Sequence, residues 1–267
     1  MPHAQELLRG AERDYVGACG RFLSREPSRD SIWTLGGNGD ISAIVINSKS
    51  AVIPVLCANK DIPRPEFLSG FLRLKKIHSV QGIKNEVIFM EDEMRRIGRN
   101  ASDIIDYDLM ETDSLPLQNR LSSGPQGLLL YTPRLVDIDM IAPLQAAYEK
   151  EEVIPSGSFF SPAASRVNIT NIIAGGKILA AELKGKIIGK INVSAVSFTR
   201  YQIGGVYVHP DYRGRGVAAR MAAEFTASLI KEGMGITLYV KKNNIAARRL
   251  YSSLGFTVRN DYRITYY

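Results

Sequence analysis

The sequence predicts an α+β protein: a mixed, largely antiparallel sheet flanked by helices, preceded by a smaller α/β domain. Three observations carry this. Two β-rich runs, "KILAAEL" and "IIGKINVSAV", flank Lys184-Gly185-Lys186, the composition of a hairpin turn. A third strand, "YQIGGVYV", runs into a glycine-rich loop and then an Ala-rich helix. Between the halves, "TDSLPLQNRLSSGPQG" (Thr112 to Gly127) carries two Pro, two Gly and a Ser pair with no sustained apolar period, which marks a linker. The expected division is an accessory domain over 1–120 and a second domain over 128–267.

The elements follow in order. "MPHAQELLRGAERDYVGACGRF" reads as one amphipathic helix of mixed charge without the apolar core of a secretory signal, so a cytoplasmic location is expected. "DISAIVI" and "AVIPVLC" read as a strand pair, "NEVIFMEDEMRRIG" as an amphipathic helix and "IDYDLM" as a strand. After the linker, "LLLY" is a short strand. In "DIDMIAPLQAAYEKEE", Asp137 or Asp139 serves as N-cap, and Ile138, Ile141, Leu144 and Tyr148 share one helical face. "VAARMAAEFTASLIKE" places Val217, Met221, Phe225 and Leu229 four apart on another helix. "GITLYV" is a strand, "IAARRLYSSLGF" a helix stopped by Gly255, and "YRITYY" a last strand.

Composition narrows the function. With 45% hydrophobic and 23% charged residues, the chain can bury an ordinary globular core. No apolar run approaches the roughly 18 residues of a membrane span, so no membrane partner is expected. Three His (His3, His78, His209) and two Cys (Cys19, Cys57) are scattered, so neither a metal site nor a disulfide framework is expected. The net charge of +7 contains no like-charge block beyond short clusters such as "RLKK". It suits solubility and an anionic small ligand better than a nucleic acid.

The anionic ligand has a natural place. In "GGVYVHPDYRGRGVAARM" a strand ends at Val208, and Arg213-Gly214-Arg215-Gly216 immediately precedes a helix. Free N–H groups of a first helical turn and the helix dipole favour negative charge. Gly214 and Gly216 let backbone approach an oxygen, and Arg213 and Arg215 add guanidinium groups that can grip phosphate. "GRGVAA" also fits the dinucleotide pattern G-x-G-x-x-A. However, five residues separate it from its strand, Lys241-Lys242 stands where that pattern wants an acid, and the hairpin-linked strands are antiparallel.

The loop Arg213–Ala218 resembles the Q/R-x-x-G-x-G/A signature of GCN5-related N-acetyltransferases, the GNAT family. "NNIAARRLYSSLGF" resembles that family's second signature, N-x-x-A-x-x-L-Y-x-x-x-G-F, with Asn244, Ala247, Leu250, Tyr251, Gly255 and Phe256 in place. The resemblance covers about 128–267. The N-terminal half lacks both signatures, and the outline suggests a two-part member whose first half is a degenerate copy of the fold.

The resemblance implies the acyl-CoA N-acyltransferase fold and acetyl transfer from acetyl-CoA to a primary amine by direct attack, without a metal. It implies that pantetheine pairs with the open backbone of Val206, Tyr207 and Val208. The pyrophosphate would take the N–H groups of Arg213, Gly214, Arg215, Gly216, Val217 and Ala218. A backbone N–H near Val208 would polarise the thioester carbonyl. Asn244 and Ala247 would line the CoA side of the next helix, and Tyr251 would protonate the leaving thiolate. Many relatives carry a Glu on the strand before the loop; this chain has Gln202, Gly204 and Gly205 there. Glu151 and Glu152 are therefore the expected base candidates, with Glu182 weaker and a water relay equal to them. The alternative is a non-catalytic acyl-CoA-binding regulatory module. No CoA site is expected in the N-terminal half. Its expected role is to cover the acceptor cleft or to mediate self-association, compatible with a homodimer.

Overall fold

Two left-handed residues set the hairpin that the sequence marks most clearly. Lys184 (φ 52°) and Gly185 (φ 77°) form the two-residue turn between β7 (Ile178–Leu183) and β8 (Lys186–Val196). The molecule is seen here as a computed structural model that describes residues 2–24, 30–37, 40–56, 70–73, 76–116, 124–155 and 159–267. Part of the expected linker, 117–123, and Cys57 lie outside the described residues.

The first half contains α1 (Pro2–Gly10), α2 (Val16–Leu23), β1 (Asp30–Gly37), β2 (Asp40–Ser48), β3 (Ala51–Leu56), β4 (Ser79–Ile83), α3 (Lys84–Arg96) and β5 (Asp103–Thr112). The second half adds β6 (Leu129–Tyr131), α4 (Ile138–Tyr148), α5 (Pro162–Ala174), β7, β8, β9 (Arg200–Val208), α6 (Val217–Lys231), β10 (Gly235–Lys241), α7 (Ile245–Ser253) and β11 (Thr257–Tyr266).

Five of these elements, α1, α2, β1, β4 and α5, correct the sequence reading. The N-terminal stretch makes two helices rather than one. Their junction turns because Arg13 and Asp14 leave it to pair with Glu111 (2.9 Å) and Arg259 (2.8 Å). Strands β1 and β4 were not anticipated, because "DSIWTLGG" ends in glycines and "SVQGI" is only five residues long. Helix α5 was also missed, since Ser, Asn and Thr give it low propensity. Its signals are Ser161 as N-cap, Pro162 at the first position, and Ser165, Ile169 and Ile173 buried at four-residue spacing.

The described strands form one sheet in the order β1-β2-β3-β4-β11-β5-β10-β9-β8-β7-β6. It is antiparallel except at β3 beside β4 and β9 beside β10. The order repeats itself. In the first half three antiparallel strands (β1–β3), and in the second four (β6–β9, of which β6 has three residues), lead to a parallel strand, then a helix, then a long strand. The two long strands, β5 and β11, pair with each other and cross over: β11 lies against β4 of the first half, and β5 against β10 of the second.

Adjacent strand residues point to opposite faces, and the buried clusters divide accordingly. Val208 packs with Val217, Met221, Phe225 and Leu229 of α6, whereas Tyr207 packs with Ile141 and Leu144 of α4 and Ile169 and Ile173 of α5. In the first half, Val45 faces Val87, Met90 and Met94 of α3, while Ile44 and Ile46 face Ala4, Leu8, Ala18 and Cys19 of α1 and α2. Among the described residues, no helix is long and apolar enough to cross a membrane.

Candidate functional site

The site begins where two parallel strands part. β9 and β10 pair only from Arg200/Gly235 to Ile203/Leu238. Beyond that, Gly204–Val208 and Tyr239–Lys241 diverge, while β10 stays paired on its other edge with β5 as far as Lys241 opposite Tyr107. The cause is a bulge in β9 at Gly205, whose φ of 60° suits glycine and whose neighbours leave no room for a Cβ: one would overlap Asn192 Oδ1 and come 2.7 Å from Lys190 Nζ. The Gly205 N–H donates to Tyr148 Oη (3.3 Å), and its carbonyl accepts from Lys190 Nζ (2.8 Å). Val206–Val208 thus present an edge to the opening. Their other edge is held by β8, with Tyr207 opposite Lys190 and Val208 opposite Gly189.

At the mouth of this opening, Gly214 (φ 73°) and Gly216 (φ 79°) take the left-handed conformation, and Gly216 is the N-cap of α6. The N–H groups of Val217, Ala218 and Ala219 have no partner within the helix by its geometry. The two loop arginines behave differently. Arg213 turns inward: Nε donates to Val208 O (2.9 Å), a terminal nitrogen meets Glu151 Oε2 (2.8 Å), and the guanidinium lies 5.2 Å from the Tyr207 ring centre. Arg215 stays exposed beside the Tyr212 ring (5.6 Å), so it is the loop guanidinium open to an incoming anion.

Helix α7 forms the second wall. Asn244 is its N-cap, with Oδ1 accepting from Ala247 N (3.0 Å). Gly255 (φ 90°) closes the far end, and Phe256 N returns to Tyr251 O (3.1 Å). Tyr251 is buried edge-on against Phe256, 5.7 Å between ring centres. Burial pushes its phenol well above the ordinary tyrosine range, and the neighbouring Tyr148 and Glu152 push it the same way.

Tyr251 therefore shares its surroundings with Glu152. A single wide π-turn, Glu149–Val153, at the end of α4 aims the two candidate carboxylates apart. Glu152 is half-buried and 2.9 Å from Lys241 Nζ at the end of β10. Glu151 is exposed; its hydrogen bond to Arg213 holds its carboxyl below the usual range. The structure thus gathers Tyr251, Glu152, Val206–Val208 and the α6 loop, and turns Glu151 outward to the loop arginine. Glu182, paired opposite Leu129 on β7, stands apart near Tyr131.

Sequence reasoning missed much of the wall. Tyr148, Tyr239 and Tyr107 keep some accessible surface, yet desolvation raises all three phenols. Glu152 and Tyr148 both act on Tyr107, Glu152 acts on Tyr148, and Tyr239 lies on β10 just beyond its last pair with β9, which sets the three rings beside the opening. Tyr239 stacks on Tyr262 at 4.0 Å, and Tyr107 meets Tyr262 edge-on at 6.5 Å. Lys190 was also missed. A lone lysine inside the apolar run "IIGKINV" was the available signal.

Against this geometry, the profile of the Acetyltransferase (GNAT) family matches residues 144–256. Residues 144–256 thus form a GNAT-family domain. Its match spans the end of α4, the split strands, the glycine loop and α7. A curated acetyltransferase of Sodalis glossinidius is 33% identical over 85 residues, 31% of this chain and 58% of that protein. The chain thus spans little more than half of that relative's length. Among solved structures, a GNAT-family acetyltransferase of Colwellia psychrerythraea matches 98% of this chain and 97% of its own, with 12% identity and a TM-score of 0.60. A tandem GNAT protein from the clavulanic acid biosynthesis pathway matches 99% of this chain and 93% of its own, at 13% identity and a TM-score of 0.61. These likenesses extend the fold across both halves. Among the described residues, no group of three or more His, Cys, Asp or Glu could hold a metal ion.

Proposed function

We propose that the chain is an N-acetyltransferase that moves an acetyl group from acetyl-CoA to a primary amine by direct attack. The observation that carries this is the parting of β9 from β10 directly beneath the left-handed glycines at the start of α6, with Tyr251 on the wall between. The residues fit acyl-CoA. The edge of Val206–Val208 suits a pantetheine amide chain, as an added strand would. The loop amides from Gly214 to Ala218 and exposed Arg215 suit a pyrophosphate, whereas the Arg213 N–H, expected to join them, is taken by Pro210 O (3.1 Å). Asn244 and Ala247 lie at the start of α7 on the same side.

The amine must lose a proton, and an alkyl ammonium holds it to about pH 10.4. Glu152 accepts it, through a water, while Lys241, 2.9 Å away, orients the carboxylate. The amine lone pair forms the new C–N bond as the C–S bond breaks, and the electron pair leaves on sulfur. A backbone N–H near Val208 steadies the carbonyl oxygen as charge builds there. Tyr251, kept protonated by its burial, donates its phenolic hydrogen to that sulfur. A phenol raised above 10 gives up the proton fully only as the nitrogen releases its own.

We propose further that the first half is a degenerate copy of the fold without its own CoA site, because its strand order repeats that of the second half without the two signatures. Its role would be to wall the acceptor cleft or to support a homodimer. One observation favours a regulatory acyl-CoA-binding module instead: both candidate carboxylates are ion-paired.

A thiol-release screen of acetyl-CoA against amine acceptors, run beside calorimetry, tests the assignment. Acetyl-CoA binds with micromolar affinity, and Gly216→Asp abolishes binding by placing a Cβ and a negative charge in the loop. Equal binding by both proteins sinks the site; binding without thiol release under any amine selects the regulatory module.

A further inference from the structure

Lys190 is the largest fully buried side chain among the described residues. It sits on β8, where an apolar residue would pack without cost. Burying an amine is expensive, so its contacts must supply something that packing alone does not. Nζ donates to Gly205 O (2.8 Å) and to Asn192 Oδ1 (3.1 Å), and lies 4.7 Å from the centre of the Tyr148 ring. Ala180 of β7 and Tyr207 of β9 are its strand neighbours. Among the described residues, the carboxylate acting on it is Glu149, which itself accepts from Gln145 (2.7 Å) and Asn168 (2.9 Å). These contacts converge on a single peptide. Tyr148 holds the N–H of Gly205 and Lys190 holds its carbonyl, so the bulge is pinned from both sides just before Val206–Val208.

Resting on the acetyl-CoA reading above, we propose that Lys190 is a positioning residue: it fixes the β9 bulge, and with it the register at which Val206–Val208 is offered to the acyl-CoA. A protonated Nζ has three hydrogens, enough for both oxygens and the Tyr148 face. A neutral amine has two and loses the cation–π attraction. Burial lowers this amine to about 7, with Glu149 opposing. The grip is therefore complete below neutrality and weakens as pH rises through it.

The test is calorimetry of acetyl-CoA with the full chain at pH 6 and pH 8.5, for wild type and Lys190→Met. Amide exchange at Gly205–Val208 is followed in parallel. If the variant holds the competent bulge in about one molecule in ten, its Kd rises about tenfold at pH 6. That gap narrows at pH 8.5, because only wild type loses a proton. Exchange at Gly205–Val208 quickens in the variant while the rest of β8 and β9 stays protected. A merely structural lysine would lower the melting temperature without changing the pH profile of Kd. Equal affinities with parallel pH profiles overturn the proposal. If wild type takes no acetyl-CoA, the functional reading falls, and exchange alone then decides whether Lys190 holds the bulge. If Lys190→Met does not fold, wild-type exchange decides it: protection of Gly205–Val208, corrected for intrinsic rates, must fall between pH 6 and 8.5, and constant protection overturns the proposal.

Discussion

Replacing Glu86 with Gln should make the protein's stability much less sensitive to pH. Glu86 lies in the first turn of α3, buried where β3 and β4 part after their short parallel contact. One carboxyl oxygen accepts from Leu56 N (3.1 Å) and from the Tyr15 hydroxyl, and the other finds no partner among the described residues. Burial dominates: it raises the carboxyl from 4.5 to about 7 against the pull of those two hydrogen bonds, and Asp14 adds to the rise. The folded state therefore keeps a proton that the unfolded chain releases near its ordinary value. Stability from this group is full below about pH 4.5 and is lost as pH climbs to about 7, because the unfolded state then binds fewer protons. The difference amounts to about 3 kcal/mol. Glutamine keeps an oxygen for Leu56 and Tyr15 and has no proton to lose. Urea unfolding of both proteins at pH 5, 6, 7 and 8 should show wild type losing about 2.5 kcal/mol relative to Glu86→Gln across that range, part of the effect being already lost at pH 5. Parallel stability curves would refute the reasoning and mean that Glu86 is ionised in the fold.

Two further outcomes concern the chemistry. Tyr251→Phe keeps the ring against Phe256, so acetyl-CoA affinity should hold while turnover falls roughly 10²–10³-fold, as for loss of a positioned acid; an unchanged rate, with chemistry rate-limiting, removes Tyr251 from the mechanism. Glu152→Gln should cost turnover about tenfold or more, whereas Glu151→Gln should chiefly weaken acetyl-CoA binding by freeing Arg213; steady-state kinetics that show the reverse would reassign the base.

What the sequence made legible was local. The hairpin at Lys184-Gly185 needs only residues adjacent in the chain. The α6 loop and the Asn244–Phe256 segment carry their resemblance to the family signatures in fixed spacings on one turn and one helical face. What stayed hidden depends on contacts across the fold. The grip of Lys190 on Gly205 exists only because a bulge turns that carbonyl toward β8. Glu151 and Glu152 look equivalent in "EKEEV", and it is the π-turn that sends one to Arg213 and the other to Lys241. Tyr107 could not be read as part of the site, since it arrives from the other half of the chain.

That arrival explains how the site can stay open. A parallel pair that parts midway leaves the end of β10 with one bare edge, and a strand held on neither edge would collapse or fray. Here β10 is held along its far edge by β5, from Ile236 opposite Thr112 to Lys241 opposite Tyr107. Strand β5 is in turn anchored at its end to the second half. Buried Arg200, at the start of β9, meets Glu111 (3.2 Å) and Asp113 (2.8 Å), and Arg13 from the junction of α1 and α2 meets the same Glu111 (2.9 Å). Removing Arg200 would take a buried guanidinium from the point where β9 and β10 are still joined and leave Glu111 to Arg13 and to Arg259 (3.3 Å), both more exposed. The wall of the cleft that faces Val206–Val208 is therefore stiffened by the N-terminal half. This gives that half a mechanical reason to be present even though it lacks both acetyltransferase signatures.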